Sequence, residues 1–412
     1  MFAQLERPDR PPAGLGRIFA DLGGDHLAHG FIGWLFAATA PVAIILSVGA
    51  QGGLSEAMLA SWIFGIFVVN GVLTLLFSWI YRQPLALFWS IPGTVLVGPA
   101  LTHLSFPEVV GAFHVTGLVI VVLGTTGWVR RAMHAIPMPI VMGMVAGVFL
   151  RFGLDLIRAL KLDIAIAGPM VATWFALCAA PAMGRRVPPI IGALVVGAVA
   201  AIAFGRFDTS VVGGLELARP TIVMPEWSWS AMVELVVPLA ITVLVVQNGQ
   251  GFAVLRGAGH EPPVDAVTVA CGVGSIVAGL FGSVCTCLAG PTNAILISSG
   301  GKDRQYTAGM TTGALSIAFG LVAPALTRLM VHAPKALIMT LAGLAMLRVL
   351  QSAFQAAFRD RFTLGAIVAF LVTVADIGLF DIGAAFWGLV AGLAVSRLLE
   401  RQDFVTLHGA RP

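Results

Sequence analysis

Pro84-Leu-Ala-Leu-Phe-Trp-Ser-Ile-Pro-Gly-Thr-Val-Leu-Val-Gly-Pro99 and Gly282-Ser-Val-Cys-Thr-Cys-Leu-Ala-Gly-Pro-Thr-Asn-Ala-Ile-Leu-Ile297 are the two stretches whose reading decides this fold. Each is apolar, and each has an extended-favouring run followed by Pro-Gly-Thr or Gly-Pro-Thr. Proline is favoured in the first turn of a helix, where its missing N–H would have no intrahelical partner. Pro92 and Pro291 are therefore expected to start half-helices near the middle of a bilayer. Free N–H groups and the positive dipole end would make each start an anion site. Thr94, Thr292 and Asn293 add side-chain donors in the first turns. A kink at a packing contact explains one such segment well. Two at the same ordinal place in two halves point instead to a transporter's binding site.

The composition sets the environment. The 412 residues are 58% hydrophobic and 11% charged, against about 25% charged in soluble domains. That excludes a cytosolic enzyme domain, a nucleic-acid binder and a disordered chain. A bilayer core needs about 20 apolar residues per helix. Runs of that kind fall near 28–48, 57–80, 85–102, 108–128, 137–157, 164–183 and 187–205, and again near 230–251, 264–281, 282–299, 305–328, 333–352, 362–379 and 382–399. The expected fold is all-α and polytopic, with fourteen spans in two seven-span halves. The organisation reads as a cytosolic tail over 1–25, a first repeat over 26–205, a wetter linker over 206–229, a second repeat over 230–399 and a C-terminal tail over 400–412. The tail before the first span carries Arg7, Arg10 and Arg17 and lacks the short apolar core of a cleavable signal.

Alternating the loops from a cytoplasmic N-terminus puts most of the 24 Lys and Arg inside, including the Arg130-Arg131 and Arg185-Arg186 pairs. Both termini are thus expected in the cytoplasm. Tyr81 and Tyr306, the only two tyrosines, fall at expected cytoplasmic span ends as interfacial anchors would. The four cysteines lie in apolar runs and suggest no disulfide framework.

Further pieces carry a resemblance: Ser90-Ile-Pro-Gly-Thr94 after Arg82-x-Pro84, Gly111-Ala-Phe113, Gln247-Asn248-Gly-Gln-Gly-Phe-Ala-Val-Leu-Arg256 and Leu341-Ala-Gly-Leu-Ala-Met-Leu347. Together, over roughly Gly30 to Ser396, the chain resembles the benzoate:proton symporter (BenE) family. The resemblance implies a uracil-transporter-like fold, with two inverted repeats, a core and a gate domain, and usually a dimer. It also implies short antiparallel strands ahead of the half-helices in spans 3 and 10, with substrate between them and beside spans 1 and 8. The expected cargo is an aromatic carboxylate carried with a proton, and no other cofactor is implied. The alternative is a nucleobase or another small organic or inorganic anion on the same fold. The chain departs from the family at Thr39-Ala40-Pro41 and at Cys285-Thr-Cys-Leu-Ala-Gly-Pro-Thr292, both in the expected pocket.

The candidate substrate-binding set is Thr39, Phe88, Trp89, Ser90, Gly93, Thr94, Gln247, Asn248, Cys285, Thr286, Cys287, Gly290, Thr292 and Asn293. Gln247 hydrogen-bonds without a charge, which suits an anion that a carboxylate would repel; its bland reading is helix–helix bonding. Strand alternation sends Phe88 and Trp89 to opposite faces, so one of them at most lines the pocket. Cys285 and Cys287 share a face, but with no histidine nearby they read as small packing residues and not as a metal site. No catalytic motif and no ATP-binding loop is present, so an enzyme or an ATP-driven pump is not expected. Glu234, Asp155, Asp376 and Asp381 are the candidate proton carriers, and none lies near the pocket by spacing. His26, His29, His103 and His114 read as residues of the span ends.

Overall fold

The structure is a computed structural model that describes residues 5–38, 40–129, 137–180, 187, 189–207, 216–376, 379 and 384–404. In chain order the helices are α1 (Leu15–Asp21), α2 (Gly24–Ala38), α3 (Ala40–Gln51), α4 (Glu56–Tyr81), α5 (Ile91–Ala100), α6 (Phe106–Thr126), α7 (Met138–Leu162), α8 (Ile164–Ala179), α9 (Pro189–Ala203), α10 (Trp229–Gly257), α11 (Val264–Gly279), α12 (Gly290–Leu296), α13 (Tyr306–Leu321), α14 (Ala323–Val331), α15 (Lys335–Ala357), α16 (Thr363–Ala375) and α17 (Ala384–Leu399). Two strands, β1 (Leu87–Trp89) and β2 (Thr286–Leu288), precede α5 and α12. The α2–α3 stretch, α4, α6, α7, α10 and α15 have the length and apolar composition to cross a membrane, and shorter apolar helices accompany them.

Both sequence interruptions are breaks in the backbone. Pro92 and Pro291 sit in the first turns of α5 and α12, as their missing N–H groups favour. Other boundaries follow local chemistry too. Ser105 and Glu108 close a reciprocal capping box at the start of α6, and Gly127 ends that helix at φ 69°. Helix α4 widens into a π turn over Gly65–Val69, and α10 does so over Met232–Val236 and again over Thr242–Asn248. Such turns are rare and cluster at functional sites.

The chain forms two compact units, each drawing on both halves of the sequence. One comprises Met1–Ala38, Leu54–Ala135 and Glu216–Pro324; the other comprises Thr39–Gly53, Ile136–Leu215 and Ala325–Pro412. In the first unit α6 packs on α11 and α4 on α13. The contacts are made by glycines. A Cβ on Gly117 would lie 2.8 Å from the Gly272 carbonyl oxygen, and one on Gly272 2.7 Å from that of Gly117. Gly71 and Gly313 meet in the same way, at 2.9 and 2.7 Å. Lipid offers no hydrophobic drive for helices to associate, so close backbone approach through small residues does that work. Linker residues 216–228 have no regular secondary structure and lie along this unit, where Val223 N–H bonds to the Leu280 oxygen and Glu226 N–H to that of Pro107.

In the second unit α7 packs on α15 and α16, α16 on α17 and α8 on α9. Gly365 and Gly392 form its corresponding close approach, each with an added Cβ 2.6 Å from the other's oxygen. The Glu400 carboxylate caps the start of α16 by accepting Leu364 N–H at 2.8 Å and Gly365 N–H at 3.0 Å.

Candidate functional site

Strands β1 and β2 pair antiparallel, with Leu87 opposite Leu288, Phe88 opposite Cys287 and Trp89 opposite Thr286. Ser90 N–H to the Cys285 oxygen and Ala289 N–H to the Ala86 oxygen, both 3.0 Å, extend the ladder. A two-stranded ribbon has two open edges, and water is absent from a membrane interior to satisfy them. Side chains do it instead. Thr74 Oγ1 donates to the Leu87 oxygen at 2.7 Å and accepts Leu87 N–H at 2.9 Å. Ser78 treats Leu85 similarly. On the far edge Ser275 Oγ accepts Thr286 N–H at 2.9 Å, and Asn248 Oδ1 accepts Leu288 N–H at 2.7 Å. Asn293 Oδ1 accepts Ala86 N–H at 3.0 Å, while its Nδ2 donates to the oxygens of Ala289 and Ala86.

The half-helix α5 is capped by Ser90, whose Oγ accepts Gly93 N–H at 3.0 Å and lies 3.1 Å from Thr242 Oγ1 on α10. Thr94 Oγ1 donates back to the Ser90 oxygen. Gly93 leaves room for Leu239, which an added Cβ would approach to 3.0 Å. Gly290 leaves room for Gln250, whose Cγ would be 2.6 Å from such a Cβ. Thr292 is buried beside Gly33 of α2. Gln247 and Asn248 end the second wide turn of α10, both buried.

Directly paired residues project from the same face of a ribbon. Trp89 and Thr286 therefore share one, and Thr286 Oγ1 donates to Asn70 Oδ1 of α4 at 2.7 Å. The Trp89 indole N–H and the Asn70 amide N–H are both buried without a hydrogen-bond partner. Phe67, one turn before Asn70, sets its ring 5.2 Å from Trp89 and 6.3 Å from Phe88, edge-on to both. The arrangement is an aromatic wall with two unused donors. Asn70 was not visible as a site residue in the sequence: a lone Asn in an apolar run carries no signal until β2 is laid against it.

Of the sequence-selected set, the first unit brings Phe88, Trp89, Ser90, Gly93, Thr94, Gln247, Asn248, Cys285, Thr286, Cys287, Gly290, Thr292 and Asn293 together around the ribbon. Thr39 lies outside the described residues. Asn248 and Asn293 have their amides committed to strand edges, and the Thr94 hydroxyl is committed to the cap. Among the described residues no His, Cys, Asp or Glu cluster has the makings of a metal site.

The ionisable residues find partners that single positions in the sequence do not name. His103 Nε2 is 2.9 Å from Glu234 Oε2, joining two residues read separately as remote from any site. His26 lies in the first turn of α2 with its side chain buried. Asp155 pairs with Arg158 at 2.9 Å and Asp376 with Arg151 at 2.5 Å, while Asp381 lies outside the described residues. Tyr306 is no interfacial anchor. It is fully buried, and its hydroxyl donates to Asp21 at 2.9 Å, because Asp21 is itself enclosed and needs its oxygens satisfied. Arg17, at 3.0 Å, Arg82 and Arg304 surround the same carboxylate. Burial pushes the Asp21 pKa up, but bonds from Arg17 and Tyr306 and the nearby arginine charges outweigh it, leaving the group below its ordinary value.

The benzoate membrane transport protein (BenE) family model matches residues 20–398. The chain is 34% identical over 373 residues to the inner membrane protein YdcO of Escherichia coli (strain K12), covering 89% of this chain and 93% of that one. It is 29% identical over 371 residues to the benzoate membrane transport protein of Acinetobacter baylyi (strain ATCC 33305 / BD413 / ADP1), covering 88% and 92%. Among solved structures, SLC26A9 matches with a TM-score of 0.65 at 14% identity, over 94% of this chain and 66% of that one. The transmembrane domain of the cyanobacterial bicarbonate transporter BicA matches at 0.61 and 16% identity, over 93% and 99%. The fold thus resembles SLC26A9 and BicA, where the sequence reading looked to uracil transporters. Ribbon pairing and helix order decide a fold likeness, and neither is visible in single motifs. A family match over nearly the whole length, with relatives aligned end to end, places this chain in the BenE family of membrane transport proteins.

Proposed function

We propose that the protein is a secondary transporter of a small aromatic carboxylate, benzoate or a close analogue, carried together with a proton. The observation that carries this reading is the Trp89–Asn70 face. Two buried donors without partners stand against an aromatic wall, at the start of a half-helix. Buried donors are costly unless satisfied, and a carboxylate accepts from several at once. No Lys or Arg occurs in β1, α5, β2 or α12, and none in α10 before Arg256. The carboxylate would be held by dipoles and neutral donors, which suits a cargo that must also be released. The relative from Acinetobacter baylyi, named for benzoate, supports the choice of cargo.

The reading extends to architecture. Fourteen spans in two inverted seven-span repeats would interchange α4 with α11 and α6 with α13. The glycine pairs Gly71–Gly313 and Gly117–Gly272 support this, since the exchange turns one into the other. Thr74 follows Gly71 by one turn to hold β1, as Ser275 follows Gly272 to hold β2. A homodimer in a bacterial inner membrane, with both termini cytoplasmic, completes the proposal. The test is uptake by purified protein in liposomes, with radiolabelled benzoate set against aryl sulfonates, nucleobases, bicarbonate and sulfate. Saturable uptake of benzoate that Trp89→Phe weakens is expected. Uptake of another class instead, with benzoate neither transported nor competing, overturns the reading.

A further inference from the structure

We propose that His103 and Glu234 form the proton-binding site that couples transport to the proton gradient, acting through half-helix α5; this rests on the proton-driven reading above. The pair is joined at 2.9 Å, and its two members differ in access. The His103 side chain is 39% exposed and that of Glu234 is 4% exposed. A proton arriving from water meets the imidazole first and a buried carboxylate behind it. An imidazole can take a proton from water and hand it on to a partner. A carboxylate this buried needs its charge compensated by a partner.

Helix α5 carries no ionisable residue. Helix α6 contributes Glu108, spent on the Ser105 N–H at 2.8 Å, and His114, whose Nδ1 is 2.8 Å from the Val110 oxygen. Glu226 lies just ahead of α10, and α10 itself has no other charge before Arg256. Helices α5 and α6, packed on the wide turn that holds Glu234, bring Glu108 and His114 but no lysine or arginine.

The location gives the pair its leverage. Helix α5 is tied to α10 at both ends. At its start Ser90 meets Thr242 at 3.1 Å, and just past its end His103 meets Glu234. Thr242 and Glu234 stand about 12 Å apart along α10 at a helical rise. Both lie in wide turns, where the backbone is least regular. In the anionic state Glu234 carries its charge beside a neutral His103. One proton from bulk water adds to the pair, as N–H on His103 or O–H on Glu234, and makes it neutral overall. Loss of that proton on the other side restores the anion; no other bond is made or broken. Because both ties hold one half-helix, the charge state at His103–Glu234 bears on the position of Ser90 and hence on the cargo site.

The experiment uses the full-length protein in liposomes and compares two readouts in the same vesicles. One is exchange of radiolabelled benzoate at equal pH on both sides. The other is benzoate accumulation driven by an acidic exterior. In Glu234→Gln, accumulation should fall about tenfold or more beyond any fall in exchange. His103→Gln should show the same excess loss. Glu234→Gln that accumulates benzoate with wild-type dependence on the pH gradient overturns the proposal. A second measurement needs no cargo: a pH-indicator dye follows proton uptake by detergent-purified protein between about pH 8 and 5. The double variant His103→Gln with Glu234→Gln should bind fewer protons than wild type, and equal uptake overturns the proposal even where benzoate proves not to be the substrate. Should Glu234→Gln not fold, His103→Gln carries the accumulation comparison, and wild-type dependence on the pH gradient in that variant overturns the proposal.

Discussion

Asn248 Oδ1 accepts the backbone N–H of Leu288 at 2.7 Å, so that an amide on α10 shares with Ser275 of α11 the outer edge of β2. Asn293 does the same for Ala86, ahead of β1, at 3.0 Å. Apolar replacement strands a buried N–H, which costs about 1–3 kcal/mol. Asn248→Leu and Asn293→Leu are each expected to lower the stability of the purified protein by that order, without any substrate present. Thermal melts in detergent check this. Thr292→Val, whose residue bonds no strand, should melt close to wild type and act on cargo affinity instead.

The glycine contacts make a prediction about equivalence. A Cβ on Gly117 or Gly313 would stand 2.8 or 2.7 Å from a facing carbonyl oxygen, so Gly117→Ala and Gly313→Ala must each push two helices apart. Overpacking of this kind costs about 1–3 kcal/mol. If the two crossings are equivalent as proposed, the two variants are expected to lose similar stability by chemical denaturation. A large loss in one and none in the other would count against two repeats built alike.

Asp21 sets a pH dependence. Its carboxyl is held below its ordinary value, since the bonds from Arg17 and Tyr306 outweigh burial. Its stabilising effect is therefore present above the unfolded carboxylate pKa, about 3.9, and is lost as pH falls through the lower folded value. Asp21→Asn should destabilise the protein at neutral pH by about 1.5–3 kcal/mol, the range for hydrogen bonds to a charged group. The gap between wild type and variant should narrow as pH drops below about 4. Melting curves of both proteins across pH are the measurement.

Gln247 offers a test of electrostatic reach. It is 5% exposed, in the wide turn that also holds Asn248. Gln247→Glu would place a carboxylate where like charges disfavour joint ionisation. Uptake of a carboxylate should be impaired more at high pH than at low pH, and should recover as the new group is protonated. Uptake at matched gradients over several pH values, with Gln247→Ala as control for the lost hydrogen bond, reads this directly. Identical pH profiles for all three proteins would make Gln247 helix-packing glue.

The sequence alone was enough for the class of this protein and the position of its broken segments. Low charge and long apolar runs leave a chain no soluble fold, and Pro92 and Pro291 act locally, through a missing N–H, wherever the rest of the chain lies. The residues around those prolines, from Phe88 to Thr94 and from Cys285 to Asn293, were legible as a candidate site for the same reason. Tertiary structure alone decided what each side chain does there. Asn248 and Asn293 look like ligand donors in a list, but ribbon edges in a waterless interior claim their amides first. Asn70 gains its place only because β2 lies against α4. His103 and Glu234 are separated by 131 residues and meet at 2.9 Å, a contact that no local pattern encodes. Helix starts depend on a few neighbours along the chain; hydrogen-bond partners and charge pairs depend on which distant segments the packing brings within 3 Å or so.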